Sequence, residues 1–407
     1  MLTRRPFILS LFAVVAVLGL ATGCDEAAKP RVLLISLDGF RWDYRERFDT
    51  PSLDALAAAG VSAAKMQPGF PSKTFPNHFT LVTGLVPDHH GIVSNTMRDP
   101  AIPGVTFSMS NRAAVVDSRW WQAEPLWTTL EKQGRKTAPL LWPGSEAPSG
   151  GVMPTHWMAY VDRLTNAERI ALVAKLYAGP ESAWPDFATM YWPTVDQTSH
   201  TAGPLSAEVR AAAEGVDRAL GELHKTLASL DVLDSLNIIV VSDHGMSEQS
   251  PERVIYLEDY IDLSTIDIVD GSPIPGVYPK SLPIDDVYAR LAGRHPHLQV
   301  YLRHEIPARL EFGSNPRVPP ILLLADDGWS VFPRRQEGRR FSFGAHGYDN
   351  ALESMQALFV AAGPAFRRGV RLEQMRSVDV YDVMCAILGV TPNRNDGDPS
   401  IARRLLR

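Results

Sequence analysis

Val32-Leu33-Leu34-Ile35-Ser36-Leu37 is a continuous, largely apolar run that stops at Asp38-Gly39. A strand with one solvated face alternates apolar and polar residues, whereas an unbroken run of this length fits a strand covered on both faces. Asn237-Ile238-Ile239-Val240-Val241-Ser242 repeats the pattern and ends at Asp243-His244-Gly245. Two buried strands that finish in polar residues indicate an open parallel sheet, with its site beyond the carboxyl ends of the strands. Further strand candidates are Lys136 to Leu141, Phe187 to Tyr191 and Gln356 to Val360. Between them Pro51 to Ala59, Glu124 to Gln133 and the alanine-rich stretch Ser206 to Ser229 read as helices, the first two stopped by Gly60 and Gly134. Strand alternating with helix predicts an α/β fold whose central sheet is mostly parallel and flanked by helices. From 253 to 343 the texture changes to shorter segments rich in proline. That stretch reads as a small inserted capping subdomain, leaving 24–252 and 344–407 as the catalytic domain.

The 407 residues carry a formal charge of −6 and no long basic run. A nucleic-acid duplex held by its phosphates is therefore not an expected partner. Arg4 and Arg5, an apolar stretch from Phe7 to Leu20 and the small residues Ala21-Thr22-Gly23 form a leader over 1–23, too short to span a membrane comfortably. Thr3 to Leu9 resembles a twin-arginine signal, and Ala21-Thr22-Gly23-Cys24 resembles a lipoprotein cleavage site, with alanine where leucine is usual. The expectation is an exported, periplasmic protein, either released or held by a membrane tether through Cys24. If Cys24 is lost or lipidated, Cys385 has no intrachain partner; its apolar setting predicts a packed, inert thiol.

Thr74 stands among turn residues in Phe70-Pro71-Ser72-Lys73-Thr74-Phe75-Pro76-Asn77-His78. Elsewhere lie Asp38, Asp196 with His200 four residues on, Asp243-His244, and His346 in a glycine-rich stretch. Taken singly each has a bland explanation: a turn cap, a solvated i,i+4 pair, loop polars. Taken together, three aspartates, three histidines and a hydroxyl are the oxygen and nitrogen ligands that divalent metals prefer, beside a side chain such a metal can activate.

Pro71-Ser72-Lys73-Thr74-Phe75-Pro76-Asn77-His78, Thr83-Gly84-Leu85 and His90-Gly91-Ile92 closely resemble the nucleophile region of the nucleotide pyrophosphatase/phosphodiesterases of the alkaline phosphatase superfamily. Leu141-Trp142-Pro143-Gly144, Asp196 to Pro204, Ser242-Asp243-His244-Gly245-Met246 and Gly344 to Asn350 extend the resemblance, in order, from Arg31 to Val390. It implies two zinc ions, one on Asp196, His200 and His346, the other on Asp38, Asp243 and His244, with Thr74 reaching the second as nucleophile. It also implies that Asn95 and the Thr74 backbone N–H bind a phosphoryl oxygen, and that Phe75, Tyr160 and Tyr191 line a substrate site that holds a nucleobase by stacking. One departure is Ser199, where a glycine often precedes the second ligand. His78, His89 and His90 are read as loop hydrogen-bonders, and Lys73 as a solvated charge. The function so implied is hydrolysis of nucleotide phosphodiester or pyrophosphate bonds through a phosphothreonyl ester, releasing nucleoside monophosphates from a small-molecule substrate. Rival readings are a choline phosphodiesterase acting on glycerophosphocholine or lysophospholipids, and a non-catalytic binding protein on the same scaffold.

Overall fold

The computed structural model describes residues 29–338 and 340–407; the leader at 1–23 and Cys24 lie outside the described residues. In chain order the strands that matter here are β1 (Arg31–Leu37), β2 (Val61–Gln67), β3 (Thr137–Pro139), β4 (Phe187–Trp192) and β5 (Leu236–Val241). The inserted stretch carries β6 (Ile266–Val269), β7 (Gly276–Pro279), β8 (Leu298–Leu302) and β9 (Ile321–Ala325), after which β10 (Ala357–Ala362) and β11 (Val370–Arg376) complete the set. The central sheet has seven strands in the order β11-β2-β10-β5-β1-β4-β3. β1 pairs in parallel with β4 and β5, β3 with β4 and β11 with β2, while β10 runs antiparallel to both neighbours. This is the expected mostly parallel α/β sheet.

Every residue of β1 is buried, as its unbroken apolar run predicts. Successive side chains of a strand point to opposite faces. Leu33, Ile35 and Leu37 accordingly join one core, and Val32 and Leu34 another. The principal helices are α1 (Pro51–Ala59), α2 (Thr74–Thr83), α3 (Leu126–Lys132), α4 (Asn166–Tyr177), α5 (Thr194–Ala202), α6 (Ala207–Ala228) and α7 (Asp379–Leu388). α6 begins at Ser206, whose side chain accepts the Val209 N–H, and buries Val209, Ala213, Val216, Leu220, Leu223 and Leu227 at alternating four- and three-residue spacings. That stripe covers one face of the sheet, and each buried Leu or Val contributes roughly 1.5–3 kcal/mol. α7 contributes Val380, Val383, Met384 and Ile387 to the other core. Cys385 is buried there, and burial pushes its thiol up to about 12, the inert state expected.

Three differences from the sequence reading have physical causes. The candidate strand Lys136 to Leu141 shrinks to Thr137–Pro139, because Pro139 has no N–H for a ladder and Leu141 turns left-handed at φ 58°. Val61–Gln67 and Val370–Arg376 are strands that carry too much polarity or irregular burial to stand out. Thr74 lies in no turn but is the first residue of α2.

Residues 253–343 contain an antiparallel sheet in the order β6-β7-β9-β8, with a core including Val277, Leu298, Ile321 and Leu323. Its attachment to the segment that follows α2 is polar and specific. The Asp88 carboxylate accepts the backbone N–H groups of Gly313, Ser314 and Asn315, each at 3.0 Å. Arg317, fully buried, pairs with Asp99 at 2.6 Å and donates to the carbonyls of Gly91, Trp120 and Arg119. The insert thus braces the loop that carries Asn95.

Candidate active site

The carboxyl ends of β1, β4 and β5 lie side by side, and the chemistry-bearing residues gather just beyond them. Asp38 follows β1, Asp243 and His244 follow β5, and Asp196 and His200 stand one turn apart on α5 after β4. Two glycines allow this crowding. Gly39, at φ +67°, lets the β1 loop approach Asp196 so closely that a Cβ would sit 3.0 Å from the Asp196 Cα. At Gly344 a Cβ would meet the Ser199 carbonyl oxygen at 2.4 Å, so the strand leading to His346 can lie against α5 only without a side chain.

Each of the three histidines is fixed at Nδ1 by a backbone carbonyl. His244 donates to Gly245 at 2.8 Å, His200 to Gly344 at 2.7 Å and His346 to Ser72 at 2.9 Å. That sets the tautomer and leaves Nε2 turned inward with a lone pair, the usual arrangement behind metal-binding imidazoles. Facing them, Asp38 Oδ1, Asp196 Oδ1 and Asp243 Oδ2 are buried carboxylate oxygens with no hydrogen-bond donor. His244 Nε2 lies 3.0 Å from Asp243 Oδ2 and 3.5 Å from Asp38 Oδ1; Asp196 Oδ1 lies 3.4 Å from His200 Nε2 and 3.7 Å from His346 Nε2. The ligand atoms of Asp196, His200 and His346 all lie within 4.8 Å of one another, as do those of Asp38, Asp196 and His244. The His244 and His346 rings stack at 3.6 Å, so the two groups adjoin. Orphaned buried carboxylate oxygens opposite free imidazole nitrogens are the donor set of divalent cations, and these residues fit them.

Electrostatics agree. Burial pushes the Asp38 carboxyl well above its usual range, and the charges of Asp243 and Asp196 push the same way. Burial would also raise Asp243, but His244 and His78 outweigh it and hold that carboxyl well below the usual range. His346 is held neutral by burial and by His244 and His200, the form in which imidazole binds metal. A cluster of desolvated acids of this kind is completed by positive charge.

Asp38, His78 and Asp243 also form a compact group. His78 is nonetheless no ligand, since Nδ1 donates to the Thr74 carbonyl at 2.8 Å and Nε2 meets Ser36 Oγ at 2.8 Å. His90 is likewise spent, with Nε2 at 3.0 Å from the Pro76 carbonyl and Nδ1 accepting the Ile92 N–H. Exposed His89 bonds to Asp396. Lys73 departs from its reading as a solvated charge: it is buried and pairs with Asp270 of the insert at 2.6 Å.

Thr74 Oγ1 lies 3.4 Å from His244 Nε2 at the positive end of α2. Asn95 accepts the Phe75 N–H through Oδ1 at 2.9 Å. These residues floor a cavity of about 550 Å³ that Phe75, Leu141, Trp142, Tyr160, Asp196 and His346 help to line. Phe75 leans on Phe107 and Trp121 at 5.9 and 6.2 Å between centroids. Tyr160, partly exposed, meets Tyr191 edge-on at 6.0 Å. Tyr191 has a second engagement that sequence did not suggest, its hydroxyl donating to Asp38 Oδ2 at 2.5 Å.

Comparison with known proteins places this geometry. The family model described as type I phosphodiesterase / nucleotide pyrophosphatase matches residues 32–349. Human ectonucleotide pyrophosphatase/phosphodiesterase family member 5 is 36% identical over 386 residues, covering 94% of this chain and 80% of that protein. Mouse bis(5'-adenosyl)-triphosphatase is 38% identical over 395 residues, covering 95% and 85%. The structure of murine ectonucleotide pyrophosphatase/phosphodiesterase 5, an inactive threonine-to-alanine variant in complex with AMP, superposes with a TM-score of 0.88 at 36% identity, over 92% of this chain and 100% of that one. Since the matched span runs from before Asp38 to beyond His346, the chain belongs to the type I phosphodiesterase / nucleotide pyrophosphatase family, hydrolases of the alkaline phosphatase superfamily.

Proposed function

We propose that the protein is an exported two-zinc phosphodiesterase that hydrolyses nucleotide phosphodiester or pyrophosphate bonds through Thr74 and releases nucleoside monophosphates. The observation that carries this reading is the convergence of three donorless carboxylate oxygens, on Asp38, Asp196 and Asp243, with three inward Nε2 atoms beside the Thr74 hydroxyl. Asp196, His200 and His346 would hold one ion, and Asp38, Asp243 and His244 the other. Ions bound there would promote loss of the Thr74 hydroxyl proton and offset charge on the phosphoryl and leaving oxygens.

The chain's own residues account for the rest. Thr74 Oγ1 attacks phosphorus in line, the leaving oxygen departs on the opposite side, and water then cleaves the Thr74 ester and restores the hydroxyl. The Thr74 N–H, at the first position of α2, has no intrahelical acceptor and faces the phosphoryl oxygen together with Asn95 Nδ2. One such donor is worth roughly 2.7–4 kcal/mol to a transition state. Phe75 and Tyr160 offer faces to a base. Relatives named for bis(5'-adenosyl)-triphosphatase activity, and a related structure inactive after a threonine-to-alanine change and holding AMP, support a nucleotide substrate and a threonine nucleophile. Export, with or without a tether through Cys24, rests on the leader at 1–23.

Product analysis tests the reading. The purified protein, given a dinucleoside triphosphate, a nucleotide diester and glycerophosphocholine, is expected to release nucleoside monophosphate from the first two. Release of choline or phosphocholine in preference, or no turnover with metal present, would overturn it.

A further inference from the structure

The insert reaches the stretches that carry Thr74 and Asn95 through Asp270. Asp270 follows β6 and takes a left-handed backbone conformation at φ 67°, one that aspartate tolerates but seldom adopts. Its Oδ1 accepts the N–H of Gly271 in its own loop. Its Oδ2 is shared by two donors from outside the insert, Lys73 Nζ at 2.6 Å and Ser94 Oγ. Lys73 immediately precedes Thr74, and Ser94 immediately precedes Asn95. Lys73 is buried and Asp270 nearly so, which places this pair where charge-assisted bonds are strong and a missing partner is costly. Lys73 and Asp270 both border the cavity.

Resting on the functional reading above, we propose that Asp270 is a positioning residue for phosphoryl transfer, its single oxygen clamping Lys73 and Ser94 and so fixing the separation of Thr74 and Asn95. Among the described residues, two ties join Lys73, Thr74 and Phe75 directly to Ser94 and Asn95: this clamp, and the Phe75 N–H bond to Asn95. Loss of the clamp leaves Asn95 on the second tie alone. An attacking group or transition-state donor displaced by about 1 Å costs on the order of 100-fold in rate.

The test compares wild type with Asp270→Asn, Ser94→Ala and Asn95→Ala, and with the double variant Asp270→Asn/Asn95→Ala, on an aryl nucleotide diester. Melting temperature and bound metal are measured alongside. Asp270→Asn is expected to lower kcat by 10-fold or more with KM within about threefold and metal content unchanged. Ser94→Ala, which removes one donor and no charge, is expected to lower kcat several-fold and serves if Asp270→Asn fails to fold. In the Asn95→Ala background Asp270→Asn should cost less than a third of its effect in wild type, because the group it positions is gone. A structural role alone would give equal losses in both backgrounds and would overturn the proposal, as would unchanged kcat in Asp270→Asn and Ser94→Ala. Thr74→Ala is the control. If it is inactive while both clamp variants turn over normally, only this inference fails; if it retains activity, the functional reading fails and this inference with it.

Discussion

The backbone N–H of Phe75 donates to Asn95 Oδ1 at 2.9 Å, joining the first turn of α2 to the loop that the insert braces. An amide held through its oxygen presents its NH2 outward, so one bond both spaces Asn95 from Thr74 and orients it as a donor toward the cavity.

The metal set gives a direct prediction. His346 contributes Nε2 to the group with Asp196 and His200, and its Nδ1 is fixed by Ser72. Elemental analysis of wild type is expected to find about two zinc ions per chain. His346→Ala should lose about one of them and most activity. Full metal content with full activity in that variant would remove His346 from the site.

Phe75 separates the substrate classes. Stacking of a base on an aromatic ring is worth roughly 1–3 kcal/mol, so Phe75→Ala should lower kcat/KM for a nucleotide diester by roughly 5–150-fold. A small aryl diester should lose less. A quaternary ammonium also favours aromatic faces, so glycerophosphocholine belongs in the comparison. Equal losses for aryl and nucleotide diesters would dispose of the nucleobase pocket.

Much of this was legible in the sequence because the decisive signals are local. Val32 to Leu37 carries its own burial pattern, and Asp38, Asp243 and His244 sit directly after the two strands that pattern identifies. Asp196 and His200 were paired by their spacing alone. What escaped depends on partners far along the chain. Lys73 is an ordinary lysine until Asp270, 197 residues away, lies against it, and Arg317 shows its role only when it meets Asp99 across 218 residues. β11 was missed because at the sheet edge its only fully buried side chains are Leu372 and Met375, three apart, a spacing that departs from the two-residue alternation of a strand.

Arg317 makes the insert's attachment measurable. Its guanidinium is fully buried, pairs with Asp99 and satisfies three carbonyls. Arg317→Ala leaves Asp99 charged and unpaired and should cost about 3–5 kcal/mol in denaturant unfolding. Arg317→Lys should recover only part, since an ammonium cannot reproduce the fork. A loss below about 1 kcal/mol would show that the latch is not what holds the insert.

His90 gives a pH dependence remote from the metal ligands. Burial lowers its pKa from 6.5 to about 3, with the Pro76 carbonyl opposing. The unfolded chain therefore takes up a proton at His90 over a range where the folded chain does not. The stability contribution is complete above about pH 6.5 and is lost as pH falls toward 3. Melting temperature measured from pH 7 to pH 4 should fall less steeply in His90→Gln than in wild type. Identical slopes would show that His90 does not contribute to acid lability.

The central claim is that Thr74 carries the phosphoryl group. Acid quench during turnover of a nucleotide diester, followed by peptide mass spectrometry, is predicted to find the nucleoside monophosphate esterified to Thr74 in wild type, and no such adduct in Thr74→Ala, which should be inactive with its metal retained. Thr74→Ser should keep substantial turnover and show the nucleoside monophosphate esterified to the serine at the same position. Turnover by Thr74→Ala at the wild-type rate would contradict the account.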